Sequence, residues 1–251
     1  MLPEERRIQL MNLLKERHFL STAEISQRLS SSPATIRRDL ALLAERGQIS
    51  RVRGGAMDLS EQHVEWPYLY REQVNEQAKE YLAELALAHI QDGQSLFLDS
   101  SSTVFKLAKK LQQRKHLKIL TNGNLTSYIL GIQTKHDIYT LGGKIHNQEL
   151  SITGGTACSQ VAAFSADTTL ISCRGLSARG GSDATEEEAQ VKQAFFQRAQ
   201  KVILLMDHSK LNQDFFYSSL TFEQIDCLIT DQPLPRNLQK IVSQYPIEVV
   251  Y

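Results

Sequence analysis

Six short apolar runs beyond Gly93 each end in a group of hydroxyl-bearing, glycine or charged residues. The six tails are Asp99-Ser100-Ser101-Ser102-Thr103, Thr121-Asn122-Gly123, Gly142-Gly143-Lys144, Cys173-Arg174-Gly175, Asp207-His208-Ser209-Lys210 and Thr230-Asp231. Hydroxyls and backbone N–H groups bind anions, and the first tail also precedes a helical pattern, whose N-terminus favours negative charge. The tails therefore predict a site for a phosphorylated ligand, with Lys210, Lys144 and Arg174 as candidate cations.

The elements around these tails explain how they can meet. Seven apolar runs predict strands, at 95–98, 117–120, 137–141, 169–172, 202–206, 227–229 and 247–250, and helical patterns alternate with them. Short apolar strands separated by helices predict an α/β fold with a mainly parallel sheet covered on both faces. In such sheets, ligands bind outside the carboxyl ends of the strands, which is where the tails lie.

The candidate ligand residues are the tail residues that offer a hydroxyl, an amide, a glycine or a charge. They are Asp99, Ser100, Ser101, Ser102, Thr103, Thr121, Asn122, Gly142, Gly143, Lys144, Arg174, Gly175 and Lys210. The competing interpretation is ordinary turn chemistry, because glycine pairs and serine-rich helix caps occur in any fold. Ser101 illustrates this choice, since it could bind the ligand or only close its turn.

An enzyme is the second functional hypothesis for this part of the chain. Asp99 or Asp207 would be the base in isomerisation or hydrolysis of a sugar phosphate, and Lys210 would hold the phosphate. No adjacent acid–base pair stands out, and we expect no catalysis.

The first 57 residues differ in charge from the rest of the chain. They contain ten basic and six acidic residues, so the segment has a net charge of +4. The whole chain of 251 residues has 28 basic and 28 acidic residues, which leaves the remainder at −4. This asymmetry predicts a small basic module joined to a mildly acidic body, and a basic module suits a nucleic-acid partner.

Three short helical patterns precede residue 47. The second opens with the capping-box sequence 21–24, Ser-Thr-Ala-Glu, and the third opens at Ser32-Pro33, where serine can cap and proline suits the first helical position. In the third helix, Ile36, Leu40 and Leu43 share one face that must pack inward. Residues 48–55 then alternate apolar and polar side chains, which predicts a short β-hairpin.

This arrangement is typical of a winged helix-turn-helix, in which the second helix of the motif reads the major groove. Arginine pairs with guanine edges, and serine or threonine contacts phosphates. The predicted DNA contacts are Ser32, Thr35, Arg37 and Arg38 on the third helix, and Arg51 and Arg53 on the hairpin. The alternative is a three-helix bundle whose arginines only face water.

The sequence resembles the DeoR family of bacterial repressors over nearly the whole chain. The N-terminal match is the run 32–40, followed by Leu43, Gly47, Ile49, Arg51, Val52 and Gly54-Gly55-Ala56. The C-terminal landmarks are the tails at 99–103, 121–122, 141–143 and 229–231, with Gly175, Glu186-Glu187-Glu188, Ala189, Lys192, Asp207, Ser209 and Lys210. Ser101 and Ser102 depart from the Gly-Thr that is commoner in the family.

The resemblance implies an effector domain related to ribose-5-phosphate isomerase and CoA-transferase folds that senses a phosphorylated sugar. We expect a winged helix-turn-helix DNA-binding domain at 1–57, a linker at 58–74 and the effector-sensing domain at 75–251. The protein would be a repressor of a carbohydrate-utilisation operon, with operator DNA and the sugar phosphate as partners. A DNA-binding protein without a ligand is a third hypothesis, but it would leave the polar tails unexplained.

Further expectations concern assembly and location. One helix-turn-helix has a small footprint, so we expect a homo-oligomer, a dimer or tetramer, that presents paired half-sites. The sequence has no apolar run near the ~18 residues of a membrane span and no signal peptide at its start, which predicts a cytoplasmic protein. Cys158, Cys173 and Cys227 are far apart and are predicted to be reduced and partly buried, and we expect neither a metal nor a cofactor.

Overall fold

Two units, residues 1–74 and 75–251, make up the chain in a computed structural model. The described residues are 2–17, 19–46, 48–52, 54–58, 68–146 and 149–251. Each unit has its own hydrophobic core, and the two are described separately.

The N-terminal unit combines short helices with a small antiparallel sheet. Its described elements are α1 (Pro3–Arg17), β1 (Phe19–Ser21), α2 (Thr22–Arg28), α3 (Pro33–Glu45), β2 (Ile49–Val52), β3 (Gly55–Asp58) and α4 (Tyr68–Gln73). The strand order is β1-β3-β2, and β2 and β3 form the predicted hairpin. Helices α1 to α3 pack around buried Leu10, Leu14, Ile25, Ile36 and Leu40. These elements are those of a winged helix-turn-helix, as predicted.

Local sequence determines where α2 and α3 begin. Ser21 caps α2 in a capping box with Glu24, and Ser32 caps α3 with Pro33 at its first position, which confirms both predictions. The Ser32 hydroxyl accepts a hydrogen bond from the backbone N–H of Thr35 at 3.2 Å. Such a cap satisfies one of the N–H groups that a helix start leaves without an intrahelical partner.

Strand β1 is not predicted by the sequence, because it is only three residues long and pairs with a distant segment. Phe19 lies opposite Met57, and Ser21 lies opposite Gly55. A Cβ at Gly55 would stand 2.2 Å from the Leu20 carbonyl oxygen, so glycine is required for β1 and β3 to come together.

The predicted linker at 58–74 contains helical residues. Residues 59–67 lie outside the described residues, but α4 follows them, and its first residue, Tyr68, is buried. The second unit begins at Asn75.

The C-terminal unit alternates helices and strands. Its described elements are α5 (Glu76–Ala88), β4 (Ser95–Leu98), α6 (Ser102–Ala108), β5 (Lys118–Thr121), α7 (Asn124–Gln133), β6 (Asp137–Thr140), β7 (Lys144–Ile145), β8 (Ile152–Thr153), α8 (Gly155–Val161), β9 (Ala166–Ile171), β10 (Gly175–Ser177), β11 (Gly180–Asp183), α9 (Glu186–Phe196), β12 (Ala199–Met206), β13 (Tyr217–Leu220), β14 (Cys227–Thr230), α10 (Arg236–Val242) and β15 (Glu248–Val250).

All seven predicted strands lie in one parallel sheet, in the order β15-β14-β12-β9-β4-β5-β6. Successive side chains of β4 face opposite ways: Leu96 and Leu98 pack with residues of α5 and α6, whereas Phe97 packs with residues of α8 and α9. The sheet is therefore covered on both faces, which confirms the predicted α/β fold. Strands β9 and β12 begin earlier than predicted, because their first few residues include polar side chains that interrupt the apolar runs.

Two smaller antiparallel sheets were not apparent in the sequence. The strands β10, β11 and β13 form one, and β7 and β8 form the other. Their strands have two to four residues and include several glycines and serines, so they lack the apolar runs that indicate the main sheet. No helix among the described residues is long and apolar enough to cross a membrane.

Candidate functional site

The loops at the carboxyl ends of the parallel strands form what we call the strand-end rim, residues 99–103, 121–123, 142–144, 172–175 and 207–210. Strands β4, β5 and β9 are hydrogen-bonded neighbours and run in parallel, with Leu98 opposite both Thr121 and Leu170. Their carboxyl ends are therefore adjacent, as the sequence predicts.

Asp99 organises the first of these loops. Its carboxylate accepts hydrogen bonds from the backbone N–H of Ser101 at 3.0 Å and from the backbone N–H of Ser172 at 3.0 Å. Burial raises the pKa of Asp99, although Lys192 and these hydrogen bonds act in the opposite direction. The carboxylate thus joins the tail of β4 to the tail of β9.

The Ser101 hydroxyl is engaged within its own loop. It donates to Asp99 Oδ1 at 2.5 Å and accepts from the backbone N–H of Val104 at 3.2 Å, which makes Ser101 the cap of α6. These contacts favour turn closure over ligand binding for this side chain.

Lys210 connects three strand tails. Its Nζ donates to Ser172 Oγ at 2.7 Å and to Thr103 Oγ1 at 3.3 Å, and it lies 3.8 Å from Asp207 Oδ2. The lysine side chain is largely buried, and Thr103 and Ser172 are fully buried. A cation surrounded by hydroxyls at the end of parallel strands is an arrangement that can bind an anionic group.

A second lysine at the rim was missed from the sequence. Lys79 of α5 is buried, and its Nζ donates to Ser102 Oγ at 3.1 Å. Its position on the helix was a usable signal, because Lys79 precedes Leu82 and Ala83 at the three- and four-residue spacing of the apolar face.

The tail of β5 meets the first loop through an amide. Asn122 Nδ2 donates to Ser100 Oγ at 3.4 Å and to the Ile152 carbonyl at 3.2 Å. The Thr121 hydroxyl accepts from the backbone N–H of Gly123 at 3.0 Å, so it closes this turn. Ser100 in turn donates to Glu188 in the first turn of α9, at 3.3 Å.

The predicted residues at 142–144 lie at the start of the β7–β8 hairpin. The backbone N–H of Gly142 donates to Gln160 Oε1 at 2.8 Å. Gly143 has a φ of 156°, and a Cβ there would stand 3.0 Å from the Thr153 carbonyl oxygen. Lys144 is exposed and lies opposite Thr153 in the hairpin.

Arg174 and Gly175 face a different segment. The Arg174 guanidinium lies 5.3 Å from the ring centroid of Phe215, and a Cβ at Gly175 would stand 2.5 Å from the Gln213 carbonyl oxygen. Both residues thus pack against the loop at 213–215 that precedes β13.

A buried ion cluster joins the rim residue Asp99 to Lys192 and Asp183. Lys192 Nζ is 2.7 Å from Asp183 Oδ1 and 3.9 Å from Asp99 Oδ2. Burial alone would lower the pKa of Lys192, but Asp183 and Asp99 outweigh it and the pKa is raised. The lysine is therefore charged, and it offsets part of the negative charge of the two buried carboxylates.

One group among the described residues has metal-ligand types close together. The ligand atoms of His89, Cys227 and Glu248 lie within 4.8 Å of one another. Burial, and then Glu248, raise the pKa of Cys227 to about 12, so the thiol is protonated at neutral pH. Cys227 and Cys173 are fully buried and Cys158 is half-buried, and the three are free thiols.

The N-terminal unit presents the predicted DNA-contacting residues on α3 and β2. Arg37, Arg38 and Ser32 are exposed, and Thr35 is half-buried, with its hydroxyl 2.9 Å from that of Ser32. Arg51 is exposed on β2, opposite Ala56. Arg53 lies outside the described residues.

A buried ion pair behind this surface was not predicted. Asp39 of α3 is buried, and its carboxylate lies 2.6 Å from Arg6 Nε and 3.7 Å from Arg7 Nε of α1. Asp39 therefore fixes α3 against α1, whereas Arg37 and Arg38 of the same helix are exposed.

Both units match known protein families. The DeoR-like helix-turn-helix domain matches residues 6–62, and the DeoR C terminal sensor domain matches residues 74–232. The HTH-type transcriptional repressor GlcR of Bacillus subtilis is 34% identical over 232 residues, which are 92% of this chain and 90% of that protein. The glycerol-3-phosphate regulon repressor of Escherichia coli is 27% identical over 241 residues, which are 96% of this chain and 95% of that protein.

Solved structures with low sequence identity are also similar to this chain. A D-ribose-5-phosphate isomerase in complex with phospho-erythronic acid matches with a TM-score of 0.41 and 17% identity, over 54% of each chain. The sensor-domain match alone spans more than half of the sequence, and the relatives are similar over almost their full length. The chain belongs to the DeoR family of DNA-binding transcriptional regulators.

Proposed function

We propose that this regulator represses carbohydrate-utilisation genes and that a phosphorylated sugar, bound at the strand-end rim, controls its affinity for operator DNA. The observation that carries the effector assignment is the contact of Lys210 with Thr103 and Ser172. Names of relatives support the regulatory role, since they include a repressor of a glycerol-3-phosphate regulon. The protein would act in the cytoplasm, beside its DNA target.

The phosphate would bind between Lys210 and the loop at 100–103. Lys210 and Lys79 supply two cations on either side of Ser102 and Thr103. A phosphate dianion can accept hydrogen bonds from both hydroxyls and replace them as the partner of the ammonium groups, and such charge-assisted bonds are stronger than neutral ones. A ligand without a negative charge would not gain this energy.

DNA would be read by α3 and the β2–β3 hairpin. Arg37 and Arg38 are exposed near the start of α3, which the Asp39–Arg6 ion pair fixes against α1. We assign to this interface Ser32, Thr35, Arg37, Arg38, Arg51 and Arg53. A homodimer or tetramer would place two such helices on successive half-sites.

Effector binding would reach the DNA-binding unit through Asn75. Asn75 Nδ2 donates to Asp207 Oδ1 at 3.0 Å and to Ser209 Oγ at 2.8 Å, so the first residue of the second unit is held by the tail that carries Lys210. A phosphate that draws Lys210 away from Asp207 would change the conformation of the tail at 207–210. The ligand then favours one arrangement of the chain at Asn75, which is what control of a distant site requires.

Catalysis is less well supported by the same geometry. Asp207 Oδ1 accepts hydrogen bonds from the Asn75 amide and from the Ser209 backbone N–H at 3.2 Å. The Asp99 carboxylate likewise accepts from two backbone N–H groups. Both candidate bases thus hold loops in place.

The test uses the full-length protein and an operator selected from random DNA duplexes by repeated binding. Fluorescence anisotropy would follow operator affinity while hexose 6-phosphates, ribose 5-phosphate and the matching free sugars are added. We expect at least one sugar phosphate to change the operator Kd by about tenfold or more, and its free sugar to have no effect. If no sugar phosphate binds or changes the Kd, the proposal is wrong. Turnover of a bound sugar phosphate would instead support the enzyme hypothesis.

A further inference from the structure

Three buried side-chain oxygens next to the rim have no hydrogen-bond partner among the described residues. They are Asn122 Oδ1, Ser151 Oγ and Thr153 Oγ1, on residues that are at most 1% exposed. A buried polar atom without a partner is unfavourable, and in native proteins such atoms usually bind a water, an ion or a ligand. Three of them in adjacent segments require a common explanation.

Their positions in the chain bring the three residues together. The backbone N–H of Ile152 donates to the Asn122 carbonyl at 2.8 Å, and Asn122 Nδ2 donates back to the Ile152 carbonyl at 3.2 Å. Ser151 and Thr153 flank Ile152, and Ser151 also pairs with Gly123. Because side chains alternate along a strand, the two hydroxyls lie on the side opposite Ile152, which packs into the core.

The same residues adjoin the proposed phosphate site. Asn122 Nδ2 contacts Ser100 Oγ at 3.4 Å, and Ser100 begins the serine–threonine run of the first loop. Thr153 lies opposite Lys144 in the β7–β8 hairpin, and cross-strand partners share a face. The segments that carry the three unpartnered oxygens thus adjoin the first loop through Asn122 and the strand of Lys144 through Thr153.

We infer that Asn122, Ser151 and Thr153 form a hydroxyl-binding wall that recognises the sugar part of the effector. The inference rests on the proposed function and adds the residues that would contact the sugar hydroxyls and so select among phosphorylated ligands. Asn122 Oδ1 would accept a hydrogen bond from one sugar hydroxyl. Ser151 and Thr153 could each donate to, or accept from, another. Sites built to hydrogen-bond a hydroxyl reject analogues that lack it, because their buried polar atoms would stay unpaired.

The experiment compares inorganic phosphate with sugar phosphates on the full-length protein by calorimetry. The probes are inorganic phosphate, glycerol 3-phosphate, ribose 5-phosphate and glucose, fructose and mannose 6-phosphates. The variants are Ser151→Ala and Thr153→Val, which remove one hydroxyl each, and Lys210→Ala, which removes the cation. Thr169→Val is the matched control, because Thr169 Oγ1 is also buried and unpartnered but lies within β9, opposite Phe97 in the sheet.

We expect the best sugar phosphate to bind far more tightly than inorganic phosphate. Ser151→Ala and Thr153→Val should each weaken sugar-phosphate binding about tenfold, since the lost interaction is one hydrogen bond to a sugar hydroxyl. The Kd of inorganic phosphate should stay within about twofold of the wild-type value. Thr169→Val should change neither Kd. Lys210→Ala should weaken the binding of both the sugar phosphate and inorganic phosphate.

A stability measurement separates ligand recognition from a structural role. If the hydroxyls serve the ligand, the ligand-free variants should keep or increase their Tm, because an unpaired buried hydroxyl has been removed. The inference is overturned if Ser151→Ala and Thr153→Val leave sugar-phosphate affinity unchanged while Lys210→Ala still weakens it; the proposed function then stands. It is also overturned, together with the proposed function, if no phosphorylated probe binds the wild-type protein.

Discussion

Asn75 donates a hydrogen bond from its side-chain amide to Asp207 Oδ1, across 132 positions of sequence, at 3.0 Å. Asn75 is the first residue of the C-terminal unit and holds a left-handed φ of 52°, a conformation that asparagine tolerates better than most residues. Asp207 follows β12 and lies 3.8 Å from Lys210. The entry of the chain into this unit is therefore tied to the strand-end rim.

Replacing Asn75 with glycine should uncouple ligand binding from DNA binding. Glycine accepts the left-handed backbone, so the variant loses the amide contacts without strain. We expect the variant to bind its sugar phosphate within about threefold of wild type, while the ligand-induced change in operator Kd falls about tenfold. Calorimetry and anisotropy measure the two quantities.

Asn212→Gly is the matched control for that substitution. Asn212 also has a left-handed φ, of 60°, but its amide pairs with Asn237. This variant should respond to ligand as wild type does. If the ligand changes the operator Kd of Asn75→Gly as much as that of wild type, coupling through Asn75 is excluded.

The double change Arg37→Ala and Arg38→Ala should abolish specific operator binding without unfolding the unit. Both side chains are exposed, and each arginine–base contact contributes about 1–3 kcal/mol. Anisotropy over a range of salt concentrations would measure the loss, and circular dichroism would check the fold. Lys118→Ala with Lys135→Ala removes the same charge from exposed sites of the other unit and should leave the Kd within about twofold. Unchanged affinity in the arginine variant would contradict the recognition-helix assignment.

Asp207→Asn should make stability less dependent on pH. Burial raises the pKa of Asp207, but Lys210 and the Ser209 hydrogen bond outweigh it, so the folded-state pKa lies below the usual value for an aspartate. The ionised Asp207 carboxylate therefore stabilises the protein at pH values above the pKa that this group has in the unfolded chain. This stabilisation is lost as the pH falls through its lower pKa in the folded protein. We expect the variant to lose about 1–3 kcal/mol of unfolding free energy at pH 7.

Urea unfolding of both proteins between pH 7 and pH 3 tests this prediction. The difference in unfolding free energy between wild type and Asp207→Asn should narrow as the pH falls below the usual aspartate pKa of about 3.9. A difference that stays constant over this range would show that the ionised carboxylate is not the stabilising form.

Thiol labelling should distinguish the three cysteines. Burial, and then Asp183, raise the pKa of Cys173 well above its usual range, and the pKa of Cys227 is raised to about 12. Cys158 is half-buried, and burial also raises its pKa. At pH 8 we expect slow labelling of Cys158 alone in the native protein, and of all three thiols in guanidinium chloride. Cys158→Ser should remove the native signal, and rapid labelling of Cys227 would refute its buried, protonated state.

Local patterns in the sequence account for most of the fold. The seven apolar runs are all strands of the main sheet, and the caps at Ser21 and Ser32 are present, because both depend on neighbours within a few residues. Strands β1, β10 and β11 could not be predicted in this way. They are short and depend on pairing with distant segments, which leaves no apolar periodicity to detect.

The candidate site was predicted in part, for a similar reason. The tails themselves follow from the strands, and Lys210 was identified by its position after β12. Lys79 was missed because a helical lysine is expected at the surface. Ser151 and Thr153 were missed because a single hydroxyl in a short segment carries no pattern; only the packing around β8 shows that they are buried and unpartnered.

The ion cluster of Lys192 with Asp99 and Asp183 has an evolutionary consequence. Removal of the lysine leaves the Asp183 and Asp99 carboxylates buried without this cation, and removal of Asp183 leaves Lys192 without its nearest carboxylate, so single substitutions at these positions are strongly destabilising. The three sites are therefore epistatic: a neutral, apolar version of the cluster is reached only through coordinated changes. In a mutagenised library selected for repression, these positions should vary together or remain fixed.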